Sequence, residues 1–289
     1  MLLSAAHAGA RDFPDPYATI DPLYLLAADG PGAVMDWEFN HQLFRSSDLD
    51  DFQLHVVGAA GLFGVGQRFA LGMRYGVYLF TGPGGAHLGT PYLEWRMNSV
   101  QFQYGLHAAF ALGPSLRLFA EYSRGSDHPF GSHPKYRLSD VSYDRVAVGV
   151  GFPRFDFGVD GTVTGSFRLG YVDLWDAWQA QGTDTPRTEW LARTGLQVLH
   201  GITQHPISRH RLKALAELNP DVFTLHDRPG IDANFAGRIG MRLEHQDTSR
   251  VIDVYFDAYF SRDTEAVVGE AFPVALTGIG FRIGNASRM

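Results

Sequence analysis

The residues most able to do chemistry in this sequence crowd into EYSRGSDHPFGSH, positions 121–133. Ser123 or Ser126 could act as a nucleophile, His128 as a general base, and Asp127 as the carboxylate that orients it. Placed on a barrel wall near a lipid leaflet, such a set would suit a lipid hydrolase or acyl-modifying enzyme. The spacing argues against this. Ser126 and His128 stand two apart around an expected turn, and no H-x-S-N-G-like motif occurs. A loop containing Gly, Ser and Pro collects the same residue types through turn chemistry alone, so a solvated loop is the preferred reading.

Other clusters carry less. His200, His205 and His210 share no helix or strand face and have no Cys to assist them, so they make a poor metal site. SDLDD at 47–51 could hold a divalent cation or bridge through one to lipopolysaccharide, but it reads better as an acidic loop. GPGG at 82–85 lacks the Lys-Ser/Thr of a phosphate loop. Neither a cofactor nor a metal is expected.

Composition bounds what must position these residues. The chain has 289 residues, 33 Gly, 13% aromatic and 19% charged side chains, and no Cys. Zero Cys excludes a disulfide scaffold and suits an oxidising compartment. A net charge of −7 gives no footprint for nucleic acid. No apolar run approaches the roughly 18 residues of a membrane helix. MLLSAAHAGA resembles the end of a secretory signal, with Ala6-His7-Ala8 as an A-x-A cleavage pattern. Residues 1–8 are therefore read as a signal remnant, 9–32 as an N-terminal periplasmic segment, 33–284 as the folded body and 285–289 as a tail.

That body alternates with a period of two, as strands do. In 252–260, Ile252, Val254, Phe256, Ala258 and Phe260 oppose Asp253, Tyr255, Asp257 and Tyr259. The pattern predicts twelve strands, about 33–44, 51–63, 67–80, 99–112, 114–124, 141–152, 155–168, 187–200, 208–218, 234–246, 250–261 and 272–283. LWDAWQAQ at 174–181 is the one short amphipathic exception, a turn or loop. Most strands exceed the 5–6 residues usual in soluble proteins and match the roughly 9–11 needed to cross a bilayer. Connections alternate in length: short near 64–66, Gly113, Pro153-Arg154 and 247–249, intermediate at 201–207, and long at 45–50, 81–98, 125–140, 169–186, 219–233 and 262–271. The expected fold is thus all-β, a transmembrane antiparallel up-and-down barrel of twelve strands with short periplasmic turns and long extracellular loops. An even count puts both termini on the periplasmic side of a bacterial outer membrane. A secreted soluble sandwich is the fold alternative.

Pairing outward with outward residues sets registers. One hairpin matches Met241 with Val254 and Ile239 with Phe256, which puts Arg242 opposite Asp253 and Arg238 opposite Asp257 inside. Another matches Phe110 with Leu118 and His107 with Glu121. The expected lumen-lining residues are Arg74, His107, Arg117, Glu121, Arg193, Arg238, Arg242, Glu244, Asp253 and Asp257, with Arg145, Lys213 and Glu217 in the same inward set. Trp37, Phe80, Tyr92, Trp95, Tyr143, Tyr171, Trp175, Trp178, Trp190 and Tyr259 would form interfacial belts.

The stretches VQFQYGLHAAFALGPSLRLFAEYSRGSDHPF and SYDRVAVGVGF, with the region from LKALAELNPDV to ALTGIGFRIG, resemble a group of bacterial outer-membrane proteins that share a conserved domain of unknown function. The resemblance implies a single barrel and carries over no catalytic residues. The functional expectation is a small channel or facilitator for polar solutes with a charged lumen, its mouth narrowed by the loops at 81–98, 125–140 and 169–186. The alternatives are the lipid enzyme and a closed structural or binding barrel. Expected partners are outer-membrane lipid and lipopolysaccharide, the barrel-assembly machinery and a small polar solute.

Overall fold

A computed structural model describes residues 33–45, 52–65, 68–83, 95–129, 141–177, 188–203, 209–225, 228–246, 250–262 and 273–285. The expected N-terminal segments, the acidic stretch at 47–51, His133, His205 and most of the C-terminal tail lie outside them. All the regular structure described is β-strand. In chain order the strands are β1 (Ala33–Arg45), β2 (Phe52–Val65), β3 (Phe69–Pro83), β4 (Trp95–Ala111), β5 (Arg117–Pro129) and β6 (Val141–Phe157). The second half comprises β7 (Gly161–Ala177), β8 (Thr188–Gly201), β9 (His210–Leu225), β10 (Arg228–His245), β11 (Arg250–Arg262) and β12 (Pro273–Asn285). Each pairs antiparallel with its chain neighbours, and β1 closes the sheet on β12, Phe39 opposite Phe281.

The two faces of this wall are inverted relative to a soluble protein. Large apolar side chains such as Leu106, Val148, Ile239 and Phe281 are exposed, whereas Arg74, Glu121, Arg193 and Asp253 are buried. Polar-in and apolar-out alternation on a closed antiparallel sheet is the pattern of a transmembrane barrel. Apolar residues run along the outer face of β6 from Val146 to Phe157. At about 3.3 Å per residue and a tilt near 40°, that run supplies a band about 25 Å tall.

Both expected registers occur. Met241 pairs with Val254, Arg242 with Asp253 and Arg238 with Asp257, while Phe110 pairs with Leu118 and His107 with Glu121. Several boundaries differ from expectation. Pro153-Arg154 is no turn, because β6 continues to Phe157 and the ladder absorbs the interruption as a register shift between Phe152 and Phe155. Proline lacks the N–H that an interior ladder position needs, and a bulge tolerates this. The turn follows at 158–160, where Gly158 takes a positive φ of 62°. The expected loops also shrink. β5 reaches Pro129, β7 reaches Ala177 and so includes Trp175, and β9 and β10 are paired from Leu225 and Arg228 inward. Gly, Pro, Asn and Asp in these stretches resemble loop residues, yet the ladder carries through them.

Glycines let side chains lie flat against the inner wall. A Cβ on Gly149 would sit 2.3 Å from the Phe119 ring and 2.4 Å from the Phe167 carbonyl oxygen. Gly149→Ala should therefore lower the urea-unfolding stability of the refolded barrel by about 1–3 kcal/mol through overpacking. At Gly165 the nearest atom would be at 3.5 Å, and Gly165→Ala should leave stability unchanged or raise it by less than about 1 kcal/mol. Equal losses in both variants would contradict this packing.

Candidate functional site

The interior is built from rows of inward residues that pair around the wall. One row runs Ala59, Arg74, Gly105, Ser123, Arg145. The next runs Gly72, His107, Glu121, Ala147, Gly170. The third runs Ala109, Phe119, Gly149, Arg168, Arg193. Glu121 occupies the middle row, and guanidinium groups reach it from both sides. Arg74 Nη1 donates to Glu121 Oε2 at 2.5 Å. Arg145 and Arg168 approach Oε1 at 3.4 and 3.5 Å. Arg74 stands on β3 and Glu121 on β5, so this contact crosses β4 beside Gly105, where any Cβ would lie 2.1 Å from the Tyr122 carbonyl oxygen. Three cations meet one carboxylate here, and the buried His107 stands next to it.

A second cluster occupies the opposite wall. Arg242 donates through Nε and Nη2 to the two carboxylate oxygens of Asp253, at 2.8 and 2.9 Å. Arg282 also bonds Asp253, and its Nη2 donates to Glu217 Oε1 at 3.0 Å, from β12 to β9. Arg238 approaches Glu217 at 3.7 Å. Between these rows lie Gly240, Tyr255 and Gly280 in register, and a Cβ on Gly280 would meet the Tyr255 hydroxyl at 2.4 Å. The Tyr255 ring thus lies over glycine, and the Arg238 guanidinium stacks on it 4.6 Å from the centroid. The first cluster repeats the device: Phe119 lies over Gly149, with Arg168 5.5 Å above its ring.

Between the clusters, Arg193 donates bidentately to Asp221 at 2.8 and 2.7 Å. Bidentate pairs of this kind fix geometry as well as charge. Lys213 and Glu244 pair at 2.5 Å in a more open position. Arg117 is half-buried at the start of β5, and Asp257 is half-buried opposite Arg238.

The structure therefore brings Arg74, His107 and Glu121 together, and separately Arg238, Arg242 and Asp253. Sequence reasoning omitted three members. Arg168 fell at the end of a strand shifted by the mistaken Pro153 turn. Asp221 was assigned to a loop. Arg282 stands on an inward face beside Gly278, Gly280 and Gly284, which disguises it as a flexible stretch. The alternation of Phe281 and Ile283 around it was the available signal.

The supposed nucleophile cluster divides. Ser123, Ser126, Asp127 and His128 are strand residues of β5, not loop residues. Positions 123 and 127 have one parity and 126 and 128 the other, so the ladder sets Ser–His and Asp on opposite faces. Ser123 is buried beside Arg145. Among the described residues no group of three or more His, Asp or Glu is placed to hold a metal. His210 instead packs edge-on against His245 at 4.8 Å, and His200 stacks on Phe157 at 6.1 Å. Of the expected belt, Tyr171 and Trp190 are exposed and meet edge-on at 5.2 Å. Positions 80, 143 and 259 share the parity of Arg74, Arg145 and Asp257 instead.

The architecture has counterparts among solved structures. The β domain of the Bordetella autotransporter BrkA superposes with a TM-score of 0.51 at 10% identity, over 88% of this chain and 98% of that one. The chain has the fold of an outer-membrane β-barrel. LpxR from Salmonella typhimurium aligns with a TM-score of 0.49 at 10% identity, covering 88% of this chain and 99% of that one. Outer membrane phospholipase A from Escherichia coli gives 0.49 at 10% identity, covering 93% and 98%. No protein-family model and no curated protein matches the sequence.

The clusters predict an asymmetric response to substitution. Glu121→Ala leaves three buried guanidinium groups converging without their shared carboxylate and should cost about 3–5 kcal/mol in urea unfolding. Lys213→Ala removes a partner from the more open pair and should cost less than about 1 kcal/mol. A Glu121 variant as stable as the native barrel would disprove the cluster.

Proposed function

We propose that the protein is a facilitator for small polar solutes in the bacterial outer membrane, with a lumen narrowed by two arginine–carboxylate clusters. The observation that carries this reading is the composition of the two clusters: buried guanidinium and carboxylate groups that reach one another over two or three strands of the wall. Asp253 is 0% exposed and Glu121 4%, so the clusters pack tightly at their own level. A barrel meant only to be sealed gains as much or more from apolar packing, since desolvating charges offsets their attraction. A plug of guanidinium and carboxylate groups can instead be wetted and parted by a polar solute, and such rings set selectivity in pores.

The two walls differ in sign. Around Glu121, Arg74, Arg145 and Arg168 leave a cationic excess. The other cluster balances Arg238, Arg242 and Arg282 against Glu217 and Asp253, with Asp257 and Glu38 in register beside them. The path on the β3–β7 side therefore favours anions. Both termini facing the periplasm, with the long connections outside, completes the orientation. The divided parity of Ser126, Asp127 and His128 gives the enzyme reading no comparable support.

Conductance across a planar bilayer under a salt gradient tests the proposal. The native barrel should give small discrete steps with a reversal potential on the anion side. The double variant Arg145→Gln/Arg168→Gln should conduct more and shift the reversal potential toward cations. Silence from both proteins, shown by protease protection to have inserted, would overturn the reading in favour of a closed barrel.

A further inference from the structure

The two interior clusters follow one plan with one difference. Each places a glycine in register with a side chain on the next strand: Gly105 with Ser123 in the first, Gly240 with Tyr255 in the second. At both glycines a Cβ would strike the neighbouring backbone, 2.1 Å from the Tyr122 carbonyl oxygen and 2.2 Å from that of Val254. In the second cluster the Tyr255 ring lies over Gly280, and three guanidinium groups share two carboxylates, Glu217 and Asp253. In the first, the matching position is a serine, and three guanidinium groups converge on one carboxylate, Glu121.

The smaller residue leaves room. A cavity of about 10 Å³ is lined by Arg74, Gln103, Gly105, Glu121, Ser123 and Arg145. It has space for one particle near the size of water and none for phosphate or sulfate. Arg74, Gly105, Ser123 and Arg145 form one row across β3 to β6, so a guanidinium stands on either side of the serine. Ser123 is 8% exposed, and its buried hydroxyl finds no hydrogen-bond partner among the described residues. A buried hydroxyl left in that way is destabilising. Glu121 also faces the cavity, but Arg74 bonds its Oε2 while Arg145 and Arg168 approach its Oε1. Guanidinium groups donate and never accept. The wall therefore suits a particle that only accepts, whereas water would need acceptors for its own protons.

We propose that this cavity binds a single halide ion, chloride under physiological conditions, held by Arg74, Arg145 and the Ser123 hydroxyl. The ion supplies the negative charge that the Tyr255 cluster obtains from its second carboxylate. Chloride is slightly wider than water, and the ends of two long arginine side chains can adjust to it. The site depends on the cluster and not on an open lumen, so halide binding and conductance stand or fail separately.

Thermal unfolding of the detergent-refolded barrel in chloride, bromide or gluconate at one ionic strength tests this. A ligand held only by the folded state raises the unfolding temperature as its concentration rises. The native barrel should respond to chloride and bromide and not to gluconate. Ser123→Ala loses one hydrogen bond to a charge and should need about tenfold more chloride for the same shift. Ser123→Asp places a carboxylate in the cavity, and its unfolding temperature should no longer move with halide. Crystals grown in bromide should show one anomalous peak within hydrogen-bond distance of Ser123 Oγ. Identical unfolding of the native barrel in all three salts would overturn the proposal, as would an unchanged chloride response in Ser123→Ala. So would bromide-grown crystals without that peak, which would assign the cavity to water.

Discussion

Hydrocarbon offers no partner to a backbone N–H or C=O, and that single constraint fixes the rest of this molecule. Each unsatisfied group would cost several kcal/mol, so the wall must satisfy itself and must have no edge. Closure of β1 on β12 meets the requirement. Once the wall is closed, parity has no freedom left. Within the apolar band outward positions must be apolar and charged groups must point inward, and a slip of one residue would exchange the two sets. The buried charges of this barrel are a consequence of its lipid-facing surface.

Charges confined in this way must satisfy one another, and the sequence solves the geometry with small residues. An arginine has to cross neighbouring strands to reach a carboxylate, and any side chain beneath it would block the path. Gly105 lies in register between Arg74 and Ser123, where a Cβ would strike the β5 backbone, and Gly240 and Gly280 flank Tyr255, where a Cβ would strike its backbone and its ring. Aromatic rings then cover the glycines and offer faces for guanidinium stacking. Phe119 over Gly149 and Tyr255 over Gly280 are two instances of one solution on opposite walls. Stability and selectivity thus draw on the same residues. The glycine content, which looks like flexibility in a composition table, is the footprint of this packing.

Period-two alternation made the architecture legible, and it made the register legible wherever a hairpin offered large outward residues on both arms. Pairing Met241 with Val254 and Phe110 with Leu118 gave registers that set Arg242 opposite Asp253 and His107 opposite Glu121, and both registers occur. What escaped was whatever depended on local turn chemistry. Pro153 normally ends a strand, but a bulge let β6 continue, and Arg168 went unseen because the following strand was misplaced. Asn219, Pro220 and Asp221 have the composition of a loop, yet they pair with Ala236, Phe235 and Asn234. Contacts between strands three apart have no sequence signal at all, because nothing local relates Arg282 to Glu217.

The wall is one residue thick, so adjacent positions on a single strand serve different phases. On β5, Glu121 holds three arginines inside, while Ala120 and Tyr122, its immediate neighbours, face lipid. The two faces obey opposite rules. Inside, size is fixed by the guanidinium paths and charge by mutual pairing. Outside, apolar character is required but size is free, which is why a row can dip to alanine at 108 and 120 without harm to the ladder. One row beyond Tyr122, Arg124 and Asp144 mark where the apolar requirement of the outer face ends. Tyr122 joins the two zones, with its ring among the apolar row and its hydroxyl on Asp144. An aromatic with an apolar body and a polar tip is suited to that boundary.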